Sequence, residues 1–309
     1  FQTPPLGLAH SPRKMADWMA GLSTVTAKKK LSKLYIPGSE NACSYSLNER
    51  DEVAGDLSRA VRTMASVPLG KETLSRWMKH QNVNVETQLL LGVRYLSTKV
   101  AARDGELFSV NGLYGAKLKD DMHAVHRFLL EHPKEVVLLH FLPVAPFARS
   151  DFDALTKLLR LQFDDLVLTQ DDEVSLKPLP DISLHDIWRN KRQVILLCDG
   201  TFSSPLVWQK AVARELPGND DIDAVEELLE EEREDDDESI TVLSCAVSLA
   251  LTNVLSKPFG NFEKEYGRPA TRTIEKWLNK NSETLSPCVI SAHFVDEGTF
   301  CESVIQLNH

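Results

Sequence analysis

One octet, Leu34-Tyr35-Ile36-Pro37-Gly38-Ser39-Glu40-Asn41, constrains this chain more than any other stretch. The apolar run Leu34, Tyr35, Ile36 reads as a short buried strand. Pro37 lacks a ladder donor and Gly38 permits a sharp bend, so the strand is expected to end there. Ser39, Glu40 and Asn41 then stand at its carboxyl end, where barrels of alternating strands and helices collect their reactive groups. Two later segments, Gly92–Val100 and Glu106–Gly112, repeat the arrangement.

The rest of the chain alternates strand and helix signals. Lys14–Leu22 is a short helical pattern with Met15, Trp18 and Met19 on one face. Glu49–Gln81 reads as polar helix, with His80 in its tail and no partner evident from sequence. Val85–Leu91 reads as a helix capped by Gly92. Strands are expected at Gly92–Ala101 and Leu107–Val110, and a helix over Tyr114–Glu131 with Met122, Val125, Phe128 and Leu129 at core spacing. Glu135–Leu142 is apolar on both faces, as a parallel sheet requires, and carries His140 near its carboxyl end. Further on, Asp151–Phe163 and the Ser183-capped Ser183–Asn190 read as helices, and Leu166–Thr169 and Gln193–Asp199 as strands. Ile240–Val247 and Pro287–Phe294 read as strands, with helices from Pro269 to Asn279 and over Gly298–Asn308. His123 and His126 are neighbours on a helix, but a metal site needs more ligands than they supply, so they read as surface residues. His132-Pro133 simply ends that helix.

A chain of 309 residues suits one barrel of roughly 250 residues plus insertions. Its net charge of −10 is local: Asn219–Ser239 holds thirteen acidic residues and one Arg, which leaves the remainder near +2. No basic footprint for nucleic acid exists. The acidic stretch reads as an insertion, 219–239, between barrel strands, with helical character over Ala224–Arg233 (Val225, Leu228, Leu229), solvated and open to a basic protein partner through Leu228 and Leu229. The longest apolar run, Ile240–Leu251, is too short to span a bilayer, so no transmembrane segment is expected. Five cysteines at irregular spacing read as reduced core thiols of a cytoplasmic protein, with peripheral membrane association open. The chain opens on Phe1, so a leader removed before it also stays open.

The three segments together resemble the X domain of phosphatidylinositol-specific phospholipase C, most closely the proteins made of that domain alone. The family pattern I-P-G-[ST]-H-[ND] stands here as Ile36-Pro37-Gly38-Ser39-Glu40-Asn41. The pattern G-[IV]-R-[YF]-[LIF]-D-[LI]-R stands as Gly92-Val93-Arg94-Tyr95-Leu96-Ser97-Thr98-Lys99. The H-G-L that follows a strand stands as Asn111-Gly112-Leu113, and the last strand ends in His293-Phe294 where the family has Asp-Phe. The resemblance runs over Met15–Asn308 and implies one domain, 14–309, folded as a TIM-type α/β barrel.

It also implies chemistry that this chain has altered. In the family one histidine takes a proton from the inositol hydroxyl and another protonates the departing diacylglycerol oxygen; an Arg or a calcium ion offsets phosphate charge. Those histidines are Glu40 and Asn111 here. A carboxylate is a weak base near pH 7 and an amide has no proton to give. Each lost proton transfer costs roughly 10²–10⁴ in rate. Ser97 cannot orient a histidine as a carboxylate does, while Lys99 keeps a positive charge for a phosphate without the Arg fork. Asn41 matches a calcium ligand, yet the second-segment carboxylates are missing, so no cofactor is expected and calcium least of all. The expectation is a phospholipase-C-like protein that binds an inositol phosphate, a phosphoinositide or a protein partner without hydrolysing it. The alternative is a phosphodiesterase working through a Glu40–His293 couple. Glu40, Asn41, Ser97, Lys99, Asn111 and His293 are expected to converge at one barrel mouth.

Overall fold

The computed structural model describes residues 15–66, 70–200, 204–209, 211–217, 222–231, 239–245, 254, 256–257, 259–281, 283 and 285–309. Side chains alternate across each strand, and the two resulting apolar sets go to different places. Ile36, Tyr95, Leu138, Ile195, Leu197, Val242 and Val289 share one cluster, the barrel interior. Their neighbours Leu96, Val100, Leu139, Phe141, Leu196, Leu243 and Ile290 belong to the layer beneath the helices.

The strands are β1 (Ile36–Ser39), β2 (Tyr95–Arg103), β3 (Glu106–Asn111), β4 (Leu113–Lys117), β5 (Val137–Pro143), β6 (Val194–Cys198), β7 (Val207–Trp208), β8 (Val212–Glu215), β9 (Ile240–Ser244) and β10 (Val289–Ala292). Their spatial order is β7-β6-β5-β2-β1-β10-β9-β8, every pairing along it parallel. The path follows chain order round a barrel, with β10 returning to β1. Among the described residues no ladder joins β7 to β8, so the barrel is open at that seam. The fold is a TIM-type α/β barrel, distorted as expected. Among the described residues the α-helices of six residues or more are α1 (Arg59–Ala65), α2 (Gly70–Met78), α3 (Val85–Leu90), α4 (Leu118–Glu131), α5 (Arg149–Phe163), α6 (Leu184–Arg189), α7 (Asp223–Glu230), α8 (Arg268–Asn281) and α9 (Phe300–Gln306). Ser183 caps α6 through a capping box with Asp186. All five cysteines are buried free thiols.

Several expectations need correction. β1 does not stop before Pro37 but runs through it. Ile36 N–H and Glu40 N–H both donate toward β10, so alternation turns the missing Pro37 donor toward β2. That ladder begins only one residue later, with Gly38 opposite Tyr95, and no bond is forfeited. Gly38 is a packing requirement rather than a bend: a Cβ there would lie 3.0 Å from Ser291 Cα and from Tyr95 Cδ1.

The third segment is not a barrel strand. β3 pairs antiparallel with β2 and then with β4, so Asn111 reaches the mouth on a hairpin. Asp104 (φ 52°) and Gly105 (φ 75°) form its two-residue turn, both with the positive φ such a turn needs. Leu113–Lys117 is strand, and the helix expected from Tyr114 starts at Leu118. Leu166–Thr169 contributes one bridge, Val167 to Val194, instead of a strand.

The acidic stretch is corrected most. Asp223–Glu230 is α7, packed on α8. Leu228 and Leu229 are 3% and 2% exposed and belong to the main core, so they offer no anchor to an outside partner. Residues 219–221 and 232–238 lie outside the described residues.

Candidate functional site

The carboxyl ends of β1, β2, β8, β9 and β10 surround a cavity of about 350 Å³. Period-two alternation aims Glu40 beyond β1, Lys99 on β2, Arg214 on β8, Ser244 on β9 and His293 beyond β10 into it. The hairpin adds Asn111, the segment before α1 adds Asp56, and the loop after α2 adds His80. Asn41 also lines the cavity, and Ser97 touches both Glu40 and the Asn41 backbone. The six residues expected to converge do so.

Glu40 sits at the centre, 2% exposed. Its carboxylate accepts from Ser97 Oγ at 3.0 Å, from Ser244 Oγ at 2.5 Å, and from Arg214 Nη2 at 3.1 and 3.2 Å. Burial pushes its pKa up, but the Arg214 guanidinium and the Ser244 hydroxyl more than offset that, and the net position is below an ordinary glutamate. Glu40 is therefore held as an ion whose lone pairs are already engaged. Gln81, fully buried, locks this end of the barrel: its amide donates to the Glu40 and Ala292 carbonyls, and its oxygen accepts from Val295 N–H.

Lys99 Nζ donates to Asp56 Oδ2 and to Asn111 Oδ1, both at 3.0 Å. Asp56 also accepts from Gly112 N–H. Asn111 Nδ2 donates to Met78 O at 2.6 Å. The cavity charges thus cancel in two pairs, Glu40 with Arg214 and Asp56 with Lys99.

Two imidazoles complete the wall. His80 and His293 lie edge to face at 4.4 Å between centroids, both against Phe262. The Asn41 amide meets His80 Nδ1 at 2.8 Å, and the Asn111 amide lies 3.4 Å from both His80 ring nitrogens. Neither ring nitrogen of His293 has a hydrogen-bond partner among the described residues, so no hydrogen bond joins it to Glu40. Burial lowers the His80 pKa well below its ordinary value, helped by His293 and Lys99. Burial also lowers His293 to about 4, against a smaller opposing pull from Glu40.

These histidines set a pH dependence of stability. Their folded values are depressed, so the stability they contribute is complete above the unfolded pKa near ~6.5. It is lost as pH falls toward about 4, because the unfolded chain takes up protons that the folded one refuses. His293 alone accounts for roughly 3 kcal/mol across that window. Urea midpoints at pH 7.5, 5.5 and 4.5 are expected to fall steadily, and His293→Leu to flatten the slope. A midpoint constant from pH 7.5 to 5 would contradict this.

Sequence reasoning missed His80, Asp56, Arg214 and Ser244 as mouth residues. Ser244 ends a strand that was expected, so alternation alone could have found it. Arg214 lies in Ala211-Val212-Ala213-Arg214-Glu215-Leu216, which shows no apolar–polar alternation, so no strand was assigned there.

No protein-family model matches the chain. It is 29% identical over 199 residues to PI-PLC X domain-containing protein 2 of Mus musculus, covering 62% of this chain and 57% of that one. The Homo sapiens protein 2 matches at 28% with 63% of its length covered, so the match spans about three fifths of these two relatives. PI-PLC X domain-containing protein 3 of Homo sapiens is 26% identical over 315 residues, 96% of this chain and 94% of that one. The chain is phospholipase-C-like. Its similarity to X-domain proteins extends across nearly the whole barrel. The barrel also matches a solved structure, the phosphatidylinositol-specific phospholipase C of Listeria monocytogenes. That match has a TM-score of 0.64 at 14% identity, over 96% of this chain and 99% of that one. A mutant of the Staphylococcus aureus enzyme gives 0.66 at 15%, over 97% and 99%. These two likenesses speak for the fold. Among the described residues no helix is long and apolar enough to cross a membrane.

Proposed function

We propose that this phospholipase-C-like barrel binds a phosphorylated polyol, of the inositol phosphate or phosphoinositide class, in its mouth and does not hydrolyse it. The observation that carries the reading is the state of Glu40. It stands where the X-domain resemblance places a proton-accepting histidine, yet it is ion-paired to Arg214 and accepts from two serine hydroxyls. A group so engaged is an anchor, since taking a proton would sacrifice these charge-assisted bonds. Asn111, at the proton-donating position, is held by Lys99 and the Met78 carbonyl and has no proton to deliver.

The Glu40–His293 couple is disfavoured by the lack of a hydrogen bond between them. A calcium-dependent route is disfavoured by the donor set. Calcium takes six to eight oxygens, several of them anionic. Here the carboxylates Glu40 and Asp56 are each matched to a cation of the protein itself. What remains suits polyol recognition: Asn41, Asn111 and Asp56 offer mixed donors and acceptors for hydroxyls, and two cations lie beside them. Five buried thiols support a cytoplasmic setting as part of the same reading. The test is phosphatidylinositol cleavage by the purified protein, with and without calcium, expected to stay at background.

A further inference from the structure

The two cations of the mouth are not equivalent. Lys99 commits two donor directions, to Asp56 and Asn111. Arg214 makes three hydrogen bonds, to both Glu40 oxygens and to Ser244 Oγ, and among the described residues all three leave from Nη2. Its Nε is buried without a partner among the described residues. A guanidinium carries five N–H donors in a rigid fork shaped for paired oxygens. Among the described residues only Nη2 is engaged and Nε is sealed from the cavity, so presenting the paired fork to a ligand requires the side chain, 23% exposed and lining the cavity, to turn.

The two carboxylates differ as well. If Arg214 turned away, Glu40 would keep the Ser97 and Ser244 hydroxyls. If Lys99 turned away, Asp56 would keep the Gly112 N–H. The backbone around Arg214 also favours adjustment. β8 ladders only to β9 among the described residues, borders the open seam, and is half-buried along all four positions.

We propose that Arg214, rather than Lys99, receives the phosphate in the mouth, with Glu40 holding the guanidinium as an internal stand-in for the ligand's oxygens. The inference rests on the phosphorylated-polyol reading above. An arriving phosphate ester pairs two oxygens with the guanidinium, and Glu40 falls back on its two serine donors.

Two probes, inorganic phosphate and inositol monophosphate, titrated calorimetrically into the full chain at pH 7, separate a bare phosphate site from a polyol phosphate site. Glu40→Gln removes the competing anion at nearly constant shape and is expected to tighten binding by about tenfold or more. Asp56→Asn is expected to change it by less than about threefold. The reverse pattern, tightening by Asp56→Asn alone, would assign the phosphate to Lys99 and overturn the inference while leaving the broader reading intact. Absence of binding by the wild type and both variants would sink the reading itself. Arg214→Lys, which retains a charge for Glu40, covers the case in which Glu40→Gln does not fold. It is expected to weaken binding by about tenfold through loss of the fork, and unchanged binding would again overturn the inference.

Discussion

Replacing Glu135 by Leu is expected to cost about 3–5 kcal/mol of stability, because it strands a buried guanidinium. Arg94 and Glu135 are both 0% exposed and 2.8 Å apart. Arg94 also donates to the carbonyls of Leu89, Val93 and Ala16 and lies over the Phe128 ring. Glu135 accepts from Met19 N–H and Ala20 N–H. The pair thereby ties the segment around Ala16–Ala20 to the end of α3, to β2 and to the start of β5. Removing one partner leaves a charge where water cannot reach it, and strengthens nothing in return. Arg94→Lys keeps the charge but cannot reach all these acceptors, so it is expected to fall between wild type and Glu135→Leu. Urea unfolding with an unchanged m-value is the measurement; a loss below about 1 kcal/mol for Glu135→Leu would contradict the geometry.

The second large effect concerns α7. Leu228→Ala and Leu229→Ala are each expected to destabilise the barrel by about 2–5 kcal/mol, the range for truncating a fully buried leucine. Ala224 and Val225 are buried with them, and all four face the core, with Val225 and both leucines in its main cluster. Excising 219–239 is therefore expected to prevent folding, contrary to what its charge suggests. Glu226→Lys and Glu230→Lys lie on the exposed face of the same helix and are expected to stay within about ±0.5 kcal/mol. If the leucine truncations left the thermal midpoint unchanged, the segment would be a solvated loop after all.

What sequence could reveal depended on how local the cause was. Six of the eight barrel strands among the described residues were legible because apolar patterning and the Pro37-Gly38 anchor are written within a few residues, whereas the short β7 and β8 were not assigned. The helical face Val225, Leu228 and Leu229 of α7 was legible, but the acidic count around it led that face to be read as a solvated docking anchor when it is core. The β3–β4 hairpin was misread as a barrel strand because Leu107–Val110 looks the same in either pairing; Asp104-Gly105 was the overlooked turn signal. The mouth was legible where motif residues carry it, and illegible where long-range partners do. Arg214 is 174 residues from the carboxylate it holds, and His80 is 39 residues from Asn41. No local pattern states such pairings, because closure of the barrel creates them.

The central claim is that Glu40 is engaged as an anchor and that the mouth binds without cleaving. Release of inositol phosphate from phosphatidylinositol in mixed micelles tests it most directly, with wild type and Glu40→Ala compared in calcium and in chelator. Release no faster than the protein-free control is expected for both proteins in both conditions. Release by the wild type that disappears in Glu40→Ala would contradict the claim, because it would make the buried carboxylate a proton acceptor.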